Sequence, residues 1–122
     1  MDKYKLKDFS KWAKKERISD AELLKVVDEM NKGLLGDRLG AYIFKKRIGF
    51  AGRGKRGGAR SILLFKDGEL ALFLYGYAKN EKSNLEVREE IALRTFAKDF
   101  MKLSKADRQR QVKVGNLVLI EE

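Results

Sequence analysis

Ala59-Arg60-Ser61-Ile62-Leu63-Leu64-Phe65-Lys66-Asp67-Gly68-Glu69-Leu70-Ala71-Leu72-Phe73-Leu74-Tyr75-Gly76-Tyr77-Ala78 places two apolar runs on either side of an Asp-Gly pair. Asp-Gly is a favoured centre for a tight hairpin, because both residues tolerate positive φ. The pattern predicts strands over 59–65 and 70–78 joined by a turn at 66–69. Side chains alternate along a strand, so Phe73, Tyr75 and Tyr77 are expected on one face. In an antiparallel hairpin the start of the first strand lies beside the end of the second. Arg60 is therefore expected next to Tyr75 and Tyr77.

Outward from the hairpin, residues 41–50 read as a preceding strand, with Tyr42-Ile43-Phe44 apolar and Lys45-Lys46-Arg47 basic. Residues 49–58 hold five of the eleven glycines and read as a loop. Downstream, Ser83-Asn84-Leu85-Glu86 has capping-box spacing and opens a long helix with Val87, Ile91, Phe96, Phe100 and Met101 apolar. Ser104 starts a last helical segment, Gly115-Asn116 ends it, and residues 117–120 close as a strand. Upstream, Tyr4-Lys5-Leu6-Lys7 is a short first strand and residues 10–17 a basic amphipathic helix with Trp12 on its apolar side. Ser19-Asp20-Ala21-Glu22 is a second capping box. It opens a helix with Leu23, Leu24, Val26, Val27, Met30 and Leu34 on one stripe, ended by Gly33 and Gly36. The expectation is one α+β domain over 1–122, with N-terminal helices, an antiparallel sheet, a C-terminal helix and a closing strand.

Charge narrows the function. The net charge is +10, of which residues 1–40 carry +2, residues 41–66 carry +8 and residues 67–122 carry none. The 26 residues from 41 to 66 contain Lys45, Lys46, Arg47, Arg53, Lys55, Arg56, Arg60 and Lys66 and no acid. A localised, acid-free basic stretch is the footprint of a polyanion site. Cysteine and histidine are both absent. That excludes disulfides, cysteine–zinc sites and every nucleophile pair built on histidine, and no metal or cofactor is expected. No apolar run is long enough to cross a membrane, and the N-terminus lacks a signal-peptide core. A cytoplasmic protein with no membrane partner is expected.

Gly52-Arg53-Gly54-Lys55-Arg56-Gly57 satisfies G-x-G-x-x-G, and residues 49–56 nearly spell a phosphate-binding loop. Both motifs require a helix after the loop, whereas Ser61-Ile62-Leu63-Leu64-Phe65 is β-like, and Arg56 stands where magnesium needs a hydroxyl. What survives is the physics they share: glycine amides approach phosphate closely, and interleaved cations add charge. Together with Arg60, Arg47, Tyr75, Tyr77, Lys79, Asn80 and Glu81, this set suits RNA. Cations hold phosphates and phenol rings stack on bases.

The runs Phe44-Lys45-Lys46-Arg47, Gly54-Lys55-Arg56-Gly57-Gly58-Ala59-Arg60 and Tyr77-Ala78-Lys79-Asn80-Glu81-Lys82-Ser83-Asn84-Leu85 resemble the RelE/HigB family of bacterial toxins. The closing Gly115-Asn116-Leu117-Val118-Leu119-Ile120-Glu121 is similar to the tail of a RelE-type subfamily. The resemblance implies a RelE-like microbial ribonuclease fold and a type II toxin–antitoxin mRNA interferase that cuts messages in the ribosomal A site. It also implies a cognate antitoxin, often a helix-turn-helix protein. Carried over, the active-site positions are Arg47, Lys55, Arg56, Arg60, Lys79 and Glu81. The family archetype has an arginine at the position of Asn80 and a tyrosine near Glu86, so the acid and base stay open.

Cleavage by 2′-hydroxyl attack needs a base, a stabilised phosphorane and an acid. Arg60 with Arg47 or Arg56 can stabilise the phosphorane. Glu81 can be the base, or Tyr77 if cations lower its pKa, and Lys55 or Lys79 the acid. Lys45, Lys46, Arg53, Tyr75 and Asn80 complete the expected RNA contacts. The alternatives are a gyrase-directed toxin of the same fold and a non-catalytic RNA- or DNA-binding module.

Overall fold

The computed structural model describes the backbone of residues 1–50 and 54–121, and the side chains of that set outside 50 and 54–57. The elements run β1 (Asp2–Leu6), α1 (Lys7–Lys15), α2 (Asp20–Asn31), β2 (Asp37–Gly40), β3 (Ile43–Phe50), β4 (Gly54–Lys66), β5 (Leu70–Ala78), α3 (Val87–Phe100), α4 (Lys105–Lys113) and β6 (Leu117–Leu119). The strands form one sheet in the order β2-β3-β4-β5-β1-β6. The class is α+β, as expected, but the sheet is mixed, because β1 runs parallel to β5 while the other pairs are antiparallel. The chain leaves β1 directly into α1 and α2, which cover one face. The next strand then starts at the far edge, so β1 has no hairpin partner to set its direction.

Two cores lie on opposite faces of the sheet. Phe9 and Ala13 of α1 and Leu23, Val26, Val27 and Met30 of α2 pack on Ile48, Leu63, Phe65 and Phe73. On the other face Ala97 and Phe100 of α3 pack on Ile43, Ile62, Leu64, Leu72 and Leu74. Burying each large apolar side chain contributes about 1.5–3 kcal/mol, which is what fixes the strand register. Ser19 caps α2 by accepting from the Glu22 amide at 3.3 Å, as its spacing predicts. Ser104 accepts from the Asp107 amide at 3.1 Å and caps α4. Among the described residues no helix is long and apolar enough to cross a membrane.

Three expectations are corrected, and one strand was missed. The glycine-rich stretch is not a loop throughout: β3 runs to Phe50, β4 starts at Gly54, and the two strands pair as far as Phe50 with Gly54. Glycine lowers strand propensity but does not forbid the ladder, and pairing with β3 decides. The helix after the hairpin starts at Val87 with Glu86 as its N-cap, three residues later than Ser83. Its inward stripe is Leu93, Ala97 and Phe100, while Val87 and Ile91 are exposed. Phe73 does not share a face with Tyr75 and Tyr77. The register slips between Ile62–Tyr75 and Leu63–Phe73, so Leu74 is an extra residue and the alternation inverts there. Finally, β2 escapes the sequence because Asp-Arg-Leu-Gly carries no alternation; it forms by pairing with β3.

Candidate functional site

Register brings the basic strand, the hairpin and the tyrosine pair to one end of one sheet face. Arg47 of β3 pairs with Arg60 of β4, and Arg60 pairs with Tyr77 of β5. One step along the same face, Lys45 pairs with Ile62 and Ile62 with Tyr75. The expected neighbourhood of Arg60 with Tyr75 and Tyr77 is thus present. Like charges directly opposite each other destabilise a sheet by a few tenths of a kcal/mol or more. Among the described residues neither Arg47 nor Arg60 has a carboxylate partner, and Arg60 donates only to its own neighbour's carbonyl, Ala59, at 3.5 Å. Two adjacent guanidiniums without counter-charge form a site prepared for an anion.

A cavity of about 390 Å³ opens over this end, with Lys45, Lys46, Arg47, Arg60, Asp37, Ser83 and Asn84 among the residues of its walls. Asp37 is its one acid among the described residues; it is largely exposed and lies 3.6 Å from Lys45. Lys45 also donates to Asn84 Oδ1 at 3.5 Å. Lys46, by contrast, sits on the opposite face. Its ammonium is buried, 3.0 Å from Glu29 and 2.7 Å from the Leu34 carbonyl, where it holds the end of α2 to the sheet. A period of two splits the basic triplet between the two faces of the sheet: Lys45 and Arg47 lie on the face of Tyr77, and Lys46 on the face of α2, where it still borders the cavity at the sheet edge.

After β5 the chain turns at 79–82, where the Ala78 carbonyl accepts from the Glu81 amide at 3.0 Å and the Lys82 amide at 3.3 Å. Lys79 is tied to the start of the hairpin by its amide, 3.2 Å from the Gly58 carbonyl. The side chains of Lys79, Asn80 and Glu81 are exposed. Glu81 borders a second cleft with Tyr75, Tyr77, Lys82 and Trp12. Arg53 lies outside the described residues, as do the side chains of Lys55 and Arg56. The backbone of Lys55 and Arg56 belongs to β4.

The two tyrosines differ in kind. Tyr75 donates to Glu89 Oε2 at 2.9 Å, and the Lys82 ammonium reaches both Glu89 oxygens at 2.7 Å and the Tyr75 hydroxyl at 3.3 Å. The same ammonium stands 5.6 Å and 5.8 Å from the centres of the Tyr75 and Tyr77 rings. Tyr77 is buried, and its hydroxyl has no hydrogen-bond partner among the described residues. Burial pushes the Tyr77 pKa up, and the opposing pull of Arg60 and Lys82 is the smaller effect. The condition on which Tyr77 would serve as base, a pKa lowered by cations, is not met. Its hydroxyl keeps its proton at physiological pH and is free to donate. Burial also raises Tyr75, reinforced by its bond to Glu89.

Lys82 and Glu89 are the residues that sequence reasoning missed. Glu89 is four residues before Leu93, on the stripe that faces the sheet, so α3 sets it over Tyr75. It also accepts from the Glu86 amide at 2.9 Å, capping the helix. The Lys82 ammonium and that amide hold the Glu89 carboxyl down from 4.5 to about 2. A carboxyl held below its ordinary value stabilises the fold above about pH 4.5 and loses that contribution as pH falls towards 2. Glu89→Gln is therefore expected to melt below the parent at pH 7, with the gap closing as pH drops through this window. An equal gap in thermal melts at pH 7 and at low pH would remove the ion pair as its cause.

The family model described as "RelE toxin of RelE / RelB toxin-antitoxin system" matches residues 1–120, nearly the whole chain. No curated protein matches it.

Proposed function

Because the chain belongs to the RelE toxin family, the toxin half of a toxin–antitoxin pair, we propose that it is a ribosome-dependent endoribonuclease that cuts messenger RNA in the A site. A cognate antitoxin is its partner. The observation that carries the reading is the row Arg47–Arg60–Tyr77: among the described residues, two guanidiniums without a carboxylate partner beside a buried hydroxyl without a hydrogen-bond partner. Arg60 and Arg47 bind the scissile phosphate and stabilise the charge that grows on its non-bridging oxygens. Tyr77, neutral and unpaired, donates a hydrogen bond to phosphate or to the departing 5′-oxygen. Glu81, exposed at the rim, takes the 2′-hydroxyl proton, and Lys79 supplies charge or a proton from the same turn. Lys55 and Arg56, by their sequence position on β4, are candidates for further phosphate contacts. Tyr75, fixed by Glu89 and Lys82, offers a ring for base stacking.

The reaction runs without metal. The 2′-oxygen attacks phosphorus, the bond to the 5′-oxygen breaks, and the products are a 2′,3′-cyclic phosphate and a 5′-hydroxyl. With no histidine in the chain, no strong acid–base pair is present at pH 7, and most of the acceleration comes from placing the message on the ribosome. Primer extension on messages from cells expressing the chain tests the reading. New 5′ ends inside translated coding regions are expected. Growth arrest without such ends, accompanied by gyrase inhibition, would favour a different target for the same fold.

Tyr77→Phe separates chemistry from stability. Removing a buried hydroxyl that has no partner among the described residues is expected to leave the melting temperature unchanged or slightly raised. Cleavage is expected to fall by roughly 10²-fold if the hydroxyl takes part in proton transfer or charge stabilisation. Full cleavage by this variant in a translation assay would confine Tyr77 to packing.

A further inference from the structure

We propose that the exposed face of α1 is a second RNA-docking surface, which grips the phosphate backbone of duplex RNA beside the candidate site. α1 buries Phe9 and Ala13 against the sheet and turns Lys7, Lys11, Lys14 and Lys15 to solvent. At 100° per residue these four ammoniums fall within an arc of about 100°, spread over about 12 Å of helix axis. Among the described residues none of the four makes an ion pair. The other helices pair cations along their own length: Lys25 with Glu22 in α2, Arg94 with Glu90 in α3, and Arg110 with Asp107 in α4. In α1 the neighbouring Asp8 could meet Lys11 one turn on, and does not.

Helix stability does not account for the row. Lys14 and Lys15 suit the negative end of the helix dipole, but Lys7 stands at the first helical position, where a cation is disfavoured. The row therefore concentrates positive charge at some cost to the helix, as expected of a surface that meets a polyanion. The partner is a duplex rather than a single strand. Single strands need exposed rings for stacking, and the one ring of α1 on this side, Trp12, is spent on Gly76, where even a Cβ would stand 2.2 Å from it. Duplex RNA is recognised through phosphates and shape, which ammoniums serve. The surface adjoins the candidate site, since Asp8, Phe9 and Trp12 share a cleft with Tyr75, Tyr77 and Glu81. Preferring RNA to another polyanion rests on the proposed function; the docking of a polyanion does not.

The test is binding of an A-form RNA duplex of about twenty base pairs, measured by fluorescence anisotropy across a salt series. The parent is compared with a Lys7→Gln, Lys11→Gln, Lys14→Gln, Lys15→Gln variant of unchanged melting temperature. The variant is expected to bind at least about tenfold more weakly, with the slope of log K against log salt reduced by about 3. Equal affinity and slope would overturn the proposal. Binding of polyglutamate by the parent as tightly as of the duplex would overturn the assignment to RNA in favour of an acidic protein. Failure of the proposed function reads differently: messages stay uncut while the lysine-dependent duplex binding persists.

Discussion

Arg60→Ala is expected to abolish growth inhibition at matched expression and to lower message cleavage by roughly 10²–10³-fold, the usual loss when a donor aimed at developing charge is removed. Arg60 makes no ion pair among the described residues and is only half-buried, so the melting temperature is expected to hold. Its removal also relieves the like-charge opposition with Arg47 across β3 and β4. Arg60→Lys keeps the charge but loses the planar fork, and partial activity is expected of it. Growth curves and primer extension read both variants. Full toxicity of Arg60→Ala would take Arg60 out of the active site.

The largest expected effect on stability is Phe73→Ala, at about 3–5 kcal/mol. Phe73 is fully buried, and its ring centre lies 5.3 Å from that of Phe9, so it ties α1 to the middle of β5. For a domain of this size such a loss is a large share of the total of about 5–15 kcal/mol. Urea unfolding followed by circular dichroism gives the value. A cost below about 1 kcal/mol would mean that the core under α1 closes over the gap.

The hairpin was legible because Asp67-Gly68 sits between two runs that have no other use than a buried strand. Its register followed from the turn, and with it the approach of Arg60 to Tyr77. The two serine caps, Ser19 and Ser104, were legible because their side chains act locally. What was not legible depended on pairing or on packing. The bulge at Leu74 inverts a period that sequence alone continues, which separates Phe73 from the tyrosines. The strand character of residues 54–58 comes from β3, against glycine's own preference. In α3 two stripes compete: Val87–Ile91, which the eye selects, and Leu93–Ala97–Phe100, which the sheet selects. That choice also decides that Glu89, one turn before Leu93, lands on Tyr75 and Lys82. The pairing of Lys46 was not legible for a different reason, since charge counted along the chain ignores the alternation that turns its ammonium to Glu29.

The most direct measurement adds the purified chain to ribosomes carrying a message with a defined A-site codon, and in parallel to the same message free in solution. The expected result is a cut within the A-site codon of the ribosome-bound message only, leaving a 2′,3′-cyclic phosphate and a 5′-hydroxyl. An uncut message on the ribosome, or equal cutting of the free message, would contradict the assignment of Arg47, Arg60 and Tyr77 to ribosome-dependent cleavage.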